Sequence, residues 1–392
     1  MRRFPRQRVL IIIVLVAAAL LTACGPPPPP AKEELLRVDP QAAEQFGDDL
    51  DQASLRAAVE QSLRYLKRIS PDRRFIYGPD ATTARGLINS YQELLRLLDV
   101  YGLSPDFWSA LKAEFNFYAP PGQVLFTGYY EPLLEGRHLA EGRFTSPLYG
   151  QPEDLISLNL KDWNLEPKVL RGRVNRNRLV PYHTRAQIDK GALQDRGLEL
   201  AWVDPVESFF LHIQGSGKIR FQDGQEIRVN YADQNGHPYV SLGKIMIERG
   251  LMKREEVSLQ GLKDYLREHP REAGQLLETN PSYVFFRIVK EGPLGCLEVP
   301  LTPGRSLALD RKRFPDAGLC LVQTRLPVIE SGQIVDWRPV NRLVLAQDTG
   351  GAIAGFGRAD LFFGAGQAAE LGAGNLKESG RLLLLLHRDA VE

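Results

Sequence analysis

Apolar positions between residues 51 and 115 recur at helical spacing: Leu87, Ile88, Tyr91, Leu94, Leu95 and Leu98 fall three and four residues apart, as one buried helix face requires. Ser104-Pro105 adds a cap position followed by a proline that suits a first helical turn. After Pro120-Pro121-Gly122 the pattern changes to short runs rich in Val, Ile, Phe and Tyr separated by glycine. These predict strands over 124–130, 209–221, 226–231, 283–289, 319–329, 342–347 and 381–387. Stretches 242–249 and 258–269 read as helices, the second stopped by Pro270. Unevenly spaced strands broken by helices predict a mainly β chain. A barrel carrying an inserted subdomain, behind a helical N-terminal segment, fits better than a sandwich of regular hairpins.

The 392 residues suffice for two domains, and 49 basic residues against 48 acidic ones leave a net charge of +1. That balance gives no electrostatic footprint for a polyanion, so nucleic acid is excluded as a partner. Six histidines and three cysteines occur without Cys-x-x-Cys or His-Glu-x-x-His spacing. No metal and no cofactor are expected.

Residues 1–8 carry four arginines and no acid, and the apolar run 9–21 is too short to span a bilayer comfortably. This reads as an export signal, with an uncleaved membrane anchor as the alternative. Leu21-Thr22-Ala23-Cys24 resembles the lipobox of bacterial lipoproteins, which implies acylation of Cys24 and anchoring in lipid. Five prolines, 26–30, then favour an extended strut. Gly25 stands after the cysteine instead of aspartate. By resemblance to lipoprotein sorting rules, this points to the periplasmic face of the outer membrane of a Gram-negative cell. In that oxidising compartment Cys296 and Cys320 form a disulfide or remain two buried thiols, and their spacing does not choose.

The most informative stretch is 346–364, where Asp348 and Asp360 lie among five glycines and several strand formers. Glycine in β-structure marks bulges, bends or the close approach of a ligand. Asp360, flanked by Ala, Leu and Phe, is poorly solvated, which raises its pKa toward the range of a proton donor at neutral pH. The competing reading gives both aspartates ordinary turn hydrogen bonds. Asp348-Thr349-Gly350 also suggests an aspartic protease, but that chemistry needs two such turns and the chain has one copy.

Residues 348–366 resemble the three-aspartate domain of bacterial lytic enzymes, with the pattern Asp-Thr-Gly-x-Ala-Ile-x-Gly-x-x-Arg-x-Asp-x-Phe-x-Gly. Upstream, Phe126-Thr127-Gly128-Tyr129-Tyr130-Glu131-Pro132 and Pro181-Tyr182-x-Thr184-Arg185 resemble further blocks of one family. So do Asp204-Pro205-Val206 through Gln214-Gly215-Ser216-Gly217, and Gly292-Pro293-Leu294-Gly295 through Gly304-Arg305-Ser306. That family is the membrane-bound lytic murein transglycosylase A group, and the resemblance covers about 126–388. Cys296, where a small apolar residue is common, and the tail 371–379 depart from its pattern.

The resemblance implies a double-psi β-barrel domain with an inserted smaller β-rich domain and a glycan groove between them. It divides the chain into a signal peptide (1–23), a lipidated linker (24–34), a helical segment with the first part of the barrel (35–132), an insertion (133–285), and the rest of the barrel (286–392) with the three-aspartate domain at about 342–388. The implied enzyme is a carbon-oxygen lyase that cleaves the β-1,4 bond between N-acetylmuramic acid and N-acetylglucosamine in peptidoglycan. Asp360 is the implied catalytic acid and then base. Asp348 supports it, either by like-charge repulsion that raises its pKa or by bonding the amides of the 350–352 turn. Implied substrate contacts are Thr127, Tyr129, Tyr130, Glu131, Tyr182, Asp204, Gln214, Ser216, Arg287, Gly351 and Arg358. Several have a plain alternative: a tyrosine in a strand is often core, 214–217 fits a hairpin turn, and either arginine suits a structural ion pair. The implied partners are peptidoglycan glycan strands, outer-membrane lipid through Cys24, and a cell-wall synthesis complex. From a different class comes the alternative of a peptidoglycan-binding lipoprotein without turnover.

Overall fold

The structure is a computed structural model describing residues 34–40, 46–165 and 169–392, of which Leu35–Glu392 is one unit. The expected signal, Cys24 and the proline strut lie outside the described residues. Helices α1 (Gln52–Leu66), α2 (Ala84–Tyr101) and α3 (Pro105–Glu114) fill most of the stretch with helical periodicity. Asp51 accepts from the Ser54 amide to cap α1, and Thr83 accepts from the Gly86 amide to cap α2. Leu87, Tyr91, Leu94 and Leu98 are buried along α2, as their spacing requires. Two features interrupt the helices. A strand, Leu36–Val38, precedes them, and a hairpin, Arg74–Tyr77 with Asp80–Thr83, turns at Gly78 with φ +66°.

Strand β1 (Val124–Glu131) enters the barrel, and the chain then leaves it for β2 (Leu133–Gly136), β3 (Ser216–Phe221), β4 (Glu226–Gln234) and β5 (Val284–Val289). These four pair in the order β5-β4-β3-β2. With β2–β5 come helices α4 (Pro205–Gln214), α5 (Leu242–Glu248), α6 (Leu259–Glu268) and α7 (Pro270–Leu277). The chain returns with β6 (Ser306–Ala308), β7 (Leu319–Glu330), β8 (Gln333–Asp348), β9 (Arg358–Ala365), α8 (Gln367–Asn375) and β10 (Lys377–His387). Six strands close a ring, β10-β7-β8-β6-β9-β1, through pairing of β1 with β10. The β6–β8 and β9–β1 pairs are parallel. Leu382 to Leu386 are all buried, because β10 has core on both faces and a continuous apolar run replaces alternation.

The strand expected over 209–221 is corrected: 205–214 is α4, and only 216–221 is strand. Asp204 accepts from the Val206 and Glu207 amides, Pro205 fits the first turn, and Gly215 at φ +77° ends the helix. Val206, Phe209 and Phe210, three and four apart, pack with Leu242, Met246 and Leu276. The 214–217 segment is thus a helix end feeding a strand, not a hairpin turn. Pro270 likewise opens α7 while ending the stretch before it. Cys296 and Cys320 are both free thiols.

Candidate active site

The short strand β6 organises the site. Its last residue, Ala308, pairs with Asp348 of β8 on one side and with Asp360 of β9 on the other. The two aspartates therefore bracket one residue at two strand spacings, about 10 Å between backbones. Asp360 pairs on its far side with Thr127 of β1, whose hydroxyl donates to the Asp360 carboxylate. The Arg358 guanidinium donates to Thr127 Oγ1 at 3.0 Å and stands 3.6 Å from Asp360 Oδ1.

Burial pushes the Asp360 carboxyl up to about 6; Arg358 opposes the shift and the Asp348 charge adds to it. Asp348 is also raised to about 6 by burial, against the Thr349 and Cys296 amides, which donate to its Oδ1 at 2.8 and 2.9 Å. The amides that hold Asp348 thus differ from the expected 350–352 turn. Tyr129 faces this pair. Burial, then the Asp348 and Asp360 charges, push its hydroxyl well above the ordinary range, and that oxygen makes no well-formed hydrogen bond. The Tyr129 ring packs against Phe362 at 5.2 Å. Site carboxyls with pKa values near 6 can donate or accept a proton close to neutral pH.

Three residues that sequence reasoning missed hold this geometry. Asp310 accepts from the Gly355 amide at 2.7 Å and so pins the loop between β8 and β9. Gln347 is fully buried; it accepts from Ser306 at 2.6 Å and donates to the Ala58 carbonyl and Ser62 hydroxyl, tying β6 and β8 to α1. Arg228 lies 2.8 Å from buried Glu131, at the exit from β1. The run Ser-Leu-Ala-Leu at 306–309 carries little strand signal, so Asp310 after it did not stand out. The other two depend on distant segments and leave no local trace.

Of the expected contacts, Thr127, Tyr129, Arg358, Asp348 and Asp360 come together, and exposed Gly351 lies on the loop after Asp348 with open space around it. Tyr130 is buried against Ala369 and Ala373 of α8, and its amide donates to Gln214 Oε1 at 3.2 Å. Burial outweighs Arg228 and Lys218 and raises the Glu131 carboxyl. Ser216 is buried in β3 opposite Asn230. Asp204 caps α4. Tyr182 is 2% exposed in the insertion's core, with its hydroxyl on Asp154 at 2.8 Å. Arg287 is ion-paired with Glu298. Tyr182 thus packs in the insertion, Asp204 serves as a helix cap, and Arg287 has a carboxylate partner. The remaining cluster with ligand-like spacing among the described residues, Glu93, Glu114 and His387, is crossed by Arg96, which bonds both glutamates at 2.5 and 2.8 Å.

Residues 125–287 match the MltA specific insert domain, and residues 305–386 match the 3D domain. A membrane-bound lytic murein transglycosylase A of Escherichia coli K12 is 32% identical over 334 residues, covering 83% of this chain and 80% of that protein. The chain belongs to this family. The expectation of a peptidoglycan-cleaving lyase is met by that membership. The Vibrio cholerae relative of the same name is 36% identical over 265 residues, 67% of this chain and 65% of its own length. Among solved structures, the membrane-bound lytic murein transglycosylase of Agrobacterium tumefaciens superposes with a TM-score of 0.75 at 29% identity, covering 91% of this chain and 98% of that one. E. coli MltA with bound chitohexaose gives 0.66 at 28% identity, with 91% and 94% covered.

Proposed function

We propose that this lytic transglycosylase cleaves the β-1,4 bond between N-acetylmuramic acid and N-acetylglucosamine without water, leaving 1,6-anhydromuramyl ends. The observation that carries the reading is Asp360, a carboxyl raised to about 6 and held by Thr127. In this scheme Asp360 gives its proton to the leaving 4-oxygen and then takes the proton of the muramyl 6-hydroxyl. That hydroxyl attacks its own anomeric carbon, and such intramolecular attack carries effective molarities on the order of 10⁵ M when geometry is held. Asp348 supports the step through its charge, which keeps the Asp360 proton on at higher pH. The glycan bound in the E. coli relative is consistent with a saccharide chain as the occupant.

The parallel pairs β6–β8 and β9–β1 favour a double-psi barrel. We take the chain to be a lipoprotein anchored through Cys24 on the periplasmic face of the outer membrane, where a cell-wall synthesis complex is a further partner.

Mass analysis of products from purified murein tests the chemistry. Anhydromuramyl ends are expected, whereas reducing ends one water heavier would mean hydrolysis with Asp348 and Asp360 as an ordinary glycosidase pair. Asp360→Asn should lose at least about 10³-fold in turnover while still binding murein. Activity within about tenfold of wild type rejects Asp360 as the acid.

A further inference from the structure

We propose that one face of the folded body, formed by the entry to the 74–83 hairpin and the loop after Asp310, docks onto the anionic phosphate headgroups of membrane lipid. The chain is neutral overall, yet residues 64–74 hold five cations and one acid, and Arg311-Lys312-Arg313 adds three more cations in a row. The fold gathers Arg73, Arg74, Arg311, Lys312 and Arg313 around a shallow cleft of about 220 Å³. Two carboxylates answer these five charges. Asp316 takes both Arg73, at 3.0 Å, and Arg311, at 2.6 Å, while Glu392 takes Arg74 at 3.2 Å. Lys312 and Arg313 are exposed and have no ion pair among the described residues; Arg313 lies 5.6 Å from the Phe356 ring. Ile76, also lining the cleft, is 56% exposed. An apolar side chain amid cations suits the boundary between headgroup and acyl chain.

The course of the chain selects lipid as the occupant. A Cβ added to Gly78 would lie 1.8 Å from the Leu35 carbonyl oxygen, so the start of the folded unit is seated on the turn of this same hairpin. Cys24 stands eleven residues before Leu35, a reach of at most about 40 Å. On the lipoprotein reading, on which this inference rests for its orientation, the tether keeps the basic face beside the bilayer. There, several cations act together within a Debye length of the surface.

The test uses the Cys24→Ser chain, exported behind a cleaved signal, so that no acyl group contributes. It should sediment with vesicles of phosphatidylcholine and phosphatidylglycerol, not with phosphatidylcholine alone, and be released by salt. Adding Arg74→Glu and Lys312→Glu should weaken that binding at least about tenfold while murein cleavage stays within about twofold. Equal binding to both vesicles, or unchanged affinity after the two reversals, overturns the proposal. So does loss of binding to isolated murein in place of vesicles, which would assign the patch to peptide-stem carboxylates. The lipoprotein reading fails separately, if the mature wild-type N-terminus carries no acyl mass.

Discussion

Thr127 and Asp360 are backbone partners across the parallel β1–β9 pair, and the Thr127 hydroxyl donates to the Asp360 carboxylate while accepting from Arg358. The donor chain from Arg358 through Thr127 favours the charged form of Asp360 and fixes its rotamer. In Thr127→Val the hydroxyl is lost, so the pKa of Asp360 should rise further and its positioning should loosen. The protonated form is the acid, so activity falls as pH climbs through about 6 in the wild type. The variant should lose roughly 10- to 100-fold in kcat at its optimum, with the falling limb of the pH profile moved upward. A profile unchanged in shape and position would show that Thr127 does not act on Asp360.

Burial of Asp348 and Asp360 carries a stability consequence of definite sign. Each has an ordinary pKa of 3.8 that the fold raises to about 6, so the folded state binds the proton more tightly. The contribution is fully present below about pH 4 and is lost as pH rises through 6, by about 2–3 kcal/mol per group. Asp360→Asn removes this loss. The variant should be more stable than wild type at pH 7 in urea unfolding, with the difference closing by about pH 4. Equal stability at both pH values would mean that the carboxyl is not raised.

What could be read beforehand follows from how far each feature reaches along the chain. Asp348 and Asp360 sit twelve residues apart in one glycine-rich segment, and the apolar neighbours of Asp360, Ala359, Leu361 and Phe362, are sequence neighbours, so that raised acid was visible. Phe209 and Phe210 look like strand residues, yet Asp204 and Pro205 start a helix whose apolar side meets α5 and α7, segments far along the chain. Tertiary contact decided between two local patterns there. Gln347 bonds Ser62 across 285 residues, and no local rule announces such a pairing. Tyr182 carried the same ambiguity as any strand-forming tyrosine, and packing of its ring with Tyr149, Leu155 and Phe285 gives it a core position while its hydroxyl reaches Asp154.

Lys263 is buried where the insertion meets barrel helix α8. Its ammonium bonds Glu207 of α4 at 2.9 Å and Glu370 of α8 at 2.7 Å, and Leu259 one turn earlier lies against Gly374. α8 in turn packs on β1, where an added Cβ on Gly128 would lie 2.7 Å from the Ala373 backbone. Lys263→Met keeps the volume but leaves two partly buried glutamates without their shared cation. Stability in urea unfolding should drop by roughly 2 kcal/mol, and adding Glu370→Gln to Lys263→Met should recover part of that loss by removing one unpaired charge. A double variant no more stable than Lys263→Met would indicate lost packing instead of lost charge pairing.

Anchoring is tested at Cys24. Each buried methylene of an acyl chain contributes about 0.8 kcal/mol, so more than one chain makes detachment negligible. The prolines 26–30 would add a strut of roughly 15 Å, at about 3.1 Å per residue, enough to clear the headgroups without reaching far into the periplasm. Wild type should therefore resist high-salt washing of membranes, whereas an electrostatic contact through the basic face is screened away under those conditions. Cys24→Ser, exported behind a cleaved signal, should be released by the same wash and retain near-normal activity on isolated murein. No helix among the described residues is long and apolar enough to cross a membrane. If the variant stayed on the membrane through the wash, a hydrophobic surface of the folded body would be holding it, and acylation at Cys24 would not be the anchor.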